Sequence, residues 1–81
     1  MSPSLHREKG YRFFFFSEER QEPPHIHVEK AGKIAKIWLD PVEVSKNYGF
    51  TNKEMKYILT VVKQYQKEFL EKWNEYFKDK K

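Results

Sequence analysis

Every glycine and every proline of this chain lies before residue 50, and residues 51–81 contain neither. These two residue types interrupt regular structure, so their confinement to one side divides the chain into a turn-rich half and an uninterrupted one. In the uninterrupted part, Met55, Ile58, Leu59, Val62, Phe69, Trp73, Tyr76 and Phe77 recur at helical spacing. A start signal precedes them. Thr51 can cap the first turn, Glu54 three residues on can return the bond, and Phe50 can pack on Met55. The pattern predicts one amphipathic helix of about 25 residues. At about 100° per residue, Lys53, Lys56, Lys63, Lys67, Lys78 and Lys81 fall on one flank of its apolar stripe, and Glu54, Glu68, Glu75 and Asp79 on the other.

The first half reads as strands. Tyr11 to Phe16 is a run of strand-forming aromatics after Gly10 and is expected as the first strand. Pro23 and Pro24 cannot donate ladder hydrogen bonds, so a second strand should begin near His25 and end at the Lys30 to Lys33 turn. In the third, Ile34 to Leu39, Ala35, Ile37 and Leu39 form the natural core face. After the Asp40-Pro41 break, Val42 to Ser45 can add a short edge strand. The fold expected is α+β: a small antiparallel sheet of three or four strands with one long C-terminal helix packed on one face. Residues 10–81 are expected as a single domain and residues 1–9 as a loose arm.

A domain of 81 residues has a small core. Without cysteine it has no disulfide, which points to a reducing cytoplasm. Aromatics, 17% of the chain, must supply the burial instead. No apolar run approaches the roughly 20 residues of a membrane span, and the first ten residues lack the apolar stretch of a secretory signal, so no membrane association is expected. The net charge of +4 suits an anionic partner.

The segment Pro23-Pro24-His25-Ile26-His27-Val28-Glu29 carries the chemistry, because an extended strand places His25, His27 and Glu29 on one side and Ile26 and Val28 on the other. Three readings of the two imidazoles stand open. They can be structural, bonded to backbone or to Glu29 and Glu43. They can chelate zinc or another divalent metal, with His6, Glu29, Asp40 or Glu43 as third ligand. As an acid–base pair they can cleave RNA without a metal, one taking the proton of a ribose 2′-hydroxyl while Lys36 or Arg12 holds the phosphate. Arg12, Lys36 and Trp38, with alternate members of the phenylalanine run, form a candidate binding surface for bases and phosphates or for protein. One helix cannot cover both faces of a sheet, so self-association is expected.

The blocks Gly10 to Ser17, Glu22 to Glu29, Ala35 to Val42, Gly49-Phe50 and Trp73 to Phe77 resemble a family of short bacterial proteins, domain of unknown function 4160. The resemblance spans nearly the whole chain and maps its signature onto Pro24, His25, His27, Trp38, Trp73 and Tyr76. It implies a cytoplasmic protein often encoded beside another small gene in an arrangement like a toxin–antitoxin pair, and it brings no activity with it. The function expected is therefore that of a small interaction protein in a toxin–antitoxin-like module, working through the histidine-bearing sheet face. Its partner is expected to be a second copy or a small cognate protein, with RNA as a further possibility and no cofactor required.

Overall fold

The computed structural model describes residues 4–16 and 22–77. Five strands form one antiparallel meander in chain order: β1 (Ser4–Glu8), β2 (Tyr11–Phe14), β3 (His25–Lys30), β4 (Lys33–Leu39) and β5 (Val42–Tyr48). Two helices follow, α1 (Asn52–Gln64) and α2 (Gln66–Phe77). The α+β class is as expected. Strand number and helix number are not.

The additional strand comes from the segment expected as a loose arm. Ser4–Glu8 has one apolar side chain, Leu5, and no alternation that marks a strand. It pairs because Lys9 and Gly10, at φ 52 and 86, fold it back on β2. Ala31 and Gly32, at φ 51 and 82, turn β3 into β4 in the same way. Two-residue turns with both φ positive match the twist of the strands they join, and glycine takes the second position at no steric cost.

Both edge strands are bulged. Leu5 is extra between the pairs Ser4↔Phe14 and His6↔Phe13, and Ser45 between Lys36↔Lys46 and Ile37↔Val44. Such bulges twist an edge away from further pairing. β5 runs three residues beyond the Val42 to Ser45 segment expected, since its polar residues suit an exposed edge. β2 stops at Phe14, its last partner to β3 being His27, two residues short of the strand expected.

Asn47 hinges the sheet to the helices: its side chain donates to Phe50 O and accepts from Phe50 N, both at 3.0 Å. Thr51 and Glu54 then form the capping box that their spacing predicts. The expected single helix is interrupted at Tyr65 (φ −106, ψ 15), although Tyr65 N still bonds Val61 O and Phe69 N still bonds Tyr65 O. The reason lies in the apolar spacing. In α1 the stripe Met55, Ile58, Val62 advances by three and four and stays on one line. From Tyr65 it advances by four at each step, to Phe69, Trp73 and Phe77, and drifts by about 40° per step. A straight helix would carry these rings off the sheet. The break re-aims them, and Gln66 Nε2 donates to Leu39 O at 2.6 Å to hold the new direction.

The core lies between the helices and one sheet face. Phe13, Phe15, Ile26, Val28, Ala35, Ile37 and Leu39 meet Ile58, Val62, Phe69 and Trp73, all buried. Among the described residues no helix is long and apolar enough to cross a membrane.

Candidate functional site

The register fixes what lies on the face without helices. One row runs Lys46, Lys36, His27, Phe14 across β5 to β2, and a second runs Tyr48, Ile34, Glu29, Arg12, Arg7 across all five strands. A third is Glu43, Trp38, His25. The five residues expected to form a surface, Arg12, His25, His27, Lys36 and Trp38, therefore share one face.

His25 opens β3 and has none of its surface exposed. Its Nδ1 donates to Pro23 O at 2.9 Å, and Glu22 Oε1 lies 3.9 Å from the same nitrogen. Its ring lies 4.9 Å from Trp73, 5.3 Å from His27 and 5.7 Å from Trp38, centroid to centroid. Four of the residues that carry the family resemblance thus converge on one contact group although Trp38 and Trp73 are remote in sequence. Pro24, beside them, accepts a bond from Leu39 N at 3.0 Å, adding a rung to the β3–β4 ladder that its own nitrogen cannot supply. Tyr76 joins through Phe15, 6.2 Å away.

His27 is 7% exposed. It stacks on Phe14 at 5.6 Å, and Phe16 closes over it edge-on at 4.4 Å. The Arg12 guanidinium lies 4.3 Å above the Phe14 ring while its Nη1 donates to Glu29 Oε2 at 2.5 Å. Lys36 reaches Glu22 and sits 4.8 Å over the Trp38 ring. The aromatic floor is thereby roofed by cations that are held by carboxylates on the same face, an arrangement in which each cation keeps both a charge partner and a π face. This is why Phe14 is buried without a helix above it.

What this geometry can do is limited by burial. General acid–base chemistry needs both imidazoles within hydrogen-bond reach of a substrate. His25 offers no surface, so in this arrangement it orients Trp38, Trp73 and the Pro23-Pro24 turn. For a metal, His6 lies on the opposite face, against Tyr65 and Phe13, with its Nε2 donating to Glu8 at 2.9 Å. Among the described residues no three histidine, aspartate or glutamate side chains converge as a metal-binding group. Sequence reasoning reached Phe16 only as one of the alternate members of the phenylalanine run, and it missed Glu22, Lys46 and Tyr48. With His27, Ile34 and Lys36 they border a depression of about 320 Å³ on this face. Phe16 had a signal, since alternation in the phenylalanine run puts it on the side of Phe14. Glu22 and Tyr48 had none, because their positions depend on the turn before β3 and on the length of β5.

A second polar group ties β1 to the helices. Tyr57 donates its hydroxyl to Glu8 Oε2 at 2.6 Å, and His6 donates to the other oxygen. The Tyr57 bond, then that from His6, holds the Glu8 carboxyl below its ordinary pKa of 4.5. Burial and the bond to Glu8 push the Tyr57 hydroxyl up to about 12. A lowered carboxylate pKa adds stability above the ordinary value, and that stability is lost as pH falls through the folded-state value. Tyr57→Phe is expected to be less stable than the parent protein at pH 7 and to approach it as the solution is acidified below pH 4.5. Urea midpoints measured at a series of pH values check this.

Fold and face together define a class: a small protein with a meander sheet, two helices closing one face and a histidine, aromatic and cation surface on the other. Residues 10–74 match the family described as domain of unknown function (DUF4160), and the chain belongs to that family. No curated protein and no solved structure matches it.

Proposed function

We propose that the protein is a small cytoplasmic interaction module, one component of a toxin–antitoxin-like pair, that binds a second copy of itself or a cognate protein through the face without helices. One observation carries this reading: that face ends in exposed large side chains, with Tyr48 60% and Phe16 38% exposed beside half-buried Ile34 and Trp38. Aromatic side chains are enriched in protein contact surfaces relative to the rest of a protein's exterior. RNA cleavage by His25 and His27 has less support, because the buried His25 would have to leave its contacts to reach a substrate.

The test uses light scattering and pull-down from the native cells, each with the parent protein and with Tyr48→Asp/Lys46→Glu, both positions exposed. The expected result is a dimer or a stoichiometric protein partner for the parent chain, lost in a variant whose circular dichroism is unchanged. A parent chain that stays monomeric and captures the same proteins as the variant overturns the reading.

A further inference from the structure

The lysine flank expected along one helix is divided by the break at Tyr65, and its first part is the more uniform. In α1, Lys53, Lys56, Thr60, Lys63 and Gln64 fall within about 100° of arc on the side away from Met55, Ile58 and Val62, and all five are exposed. The single acidic residue of α1, Glu54, is already engaged: it accepts from Lys33 Nζ at 2.8 Å and from Thr51 N at 2.9 Å. Among the described residues no carboxylate pairs with Lys53, Lys56 or Lys63. Beyond the break the signs alternate, with Lys67, Glu68, Glu71, Lys72 and Glu75 all exposed on α2, so the uncompensated charge belongs to α1.

The hairpin turns extend this surface at the start of α1. Lys53 borders a depression of about 320 Å³ on the helix side, together with Lys9, Lys30 and the engaged Glu54. Glu8, the other carboxylate here, is taken by Tyr57 and His6. Lys9 lies 5.5 Å from the Tyr57 ring centroid and Lys30 4.5 Å from that of Tyr11, so ammonium groups cover these rings and leave none free to stack on a base.

Composition selects the partner. No large apolar side chain of α1 is exposed, and lysine is depleted from protein contact surfaces, so this side is ill suited to a protein. An interfacial helix inserts its apolar residues into lipid, whereas Met55, Ile58, Val61 and Val62 are buried in the core. Lysines spread over about 15 Å of helix, from Lys53 to Lys63, match the backbone phosphates of about four base pairs. We infer that this side of the protein docks on the phosphate backbone of a double-stranded nucleic acid without reading its sequence, with Lys53, Lys56 and Lys63 on the phosphates and Lys9 and Lys30 beside them. The surface lies across the sheet from the face proposed above, so either can fail alone.

The test measures the anisotropy of a fluorescein-labelled dodecamer DNA duplex, the RNA duplex of the same sequence and one separated DNA strand, at a series of salt concentrations. Three chains with matching circular dichroism are compared: the parent, Lys56→Gln/Lys63→Gln, and Lys67→Gln/Lys72→Gln, which removes the same charge from α2. The parent should bind duplex at low salt, and the α2 variant should bind like it. The α1 variant should bind several-fold more weakly, with a salt slope lower by about 0.9 for each phosphate contact removed. Tighter binding of one duplex identifies DNA or RNA as the ligand, and equal binding identifies the charge that both backbones share. No duplex binding by the parent, tighter binding of the single strand, displacement of the duplex by an equal charge of poly-glutamate or of phosphatidylserine vesicles, or equal weakening in both variants overturns the inference.

Discussion

Trp73→Ala is expected to lower stability by about 3–5 kcal/mol, the range for removing a large aromatic from a core. Trp73 is 5% exposed and meets Phe15 edge-on at 5.2 Å, Phe77 at 4.3 Å and His25 at 4.9 Å. It therefore joins α2 to the end of β2 and to the start of β3 at once. A domain of this length holds roughly 4–12 kcal/mol in total, so the variant should be largely or partly unfolded at room temperature. Trp73→Phe should retain much of that stability, because a smaller ring can still meet Phe15. Urea denaturation followed by circular dichroism measures both. An unchanged midpoint for the alanine variant would show that α2 is held by Phe69 and Phe77 without it.

The same residue shows how far sequence reaches. Its place on the apolar stripe was legible from helical spacing, as were the capping box at Thr51 and Glu54, the turn at Gly32 and the shared side of His25 and His27. Each of these depends on residues within about four positions of one another. Contacts set by the whole topology were not legible. Nothing local joins Trp73 to His25, and nothing in Ser4–Glu8 states that the strand is needed as an edge for β2. The helix break had a signal in the change from three-and-four to four-and-four spacing at Tyr65, but the outcome depends on the length of sheet beneath it. The sheet face opposite the helices was expected to be bare. It is partly self-covered, because Arg12 can lie on Phe14 only when Glu29 stands opposite on β3 to hold its charge.

The two histidines, alike in sequence, are expected to behave differently when replaced. His25→Ala removes the donor to Pro23 O and leaves that turn without its anchor, at about 0.5–1.5 kcal/mol for the hydrogen bond itself, since the exposed Pro23 carbonyl can turn to water. It also opens a cavity between Trp38 and Trp73, which adds to the loss. His27→Gln should cost less. The ring contacts it loses, to Phe14, Phe16 and His25, are each worth at most about 0.5–1.5 kcal/mol, and Phe16 can settle onto the smaller side chain. Function should divide the other way. His25→Ala, assayed at a temperature where it remains folded, should keep its partner, since the residue has no surface to offer. His27→Gln lies in the floor of the depression bordered by Phe16, Lys36 and Tyr48, so it should weaken binding while the fold stays intact. Melting curves and partner titrations on the two variants separate the roles. A His25 variant that melts normally yet loses all activity in the cell would make His25 a reacting group, and the face would then have to open for it to act.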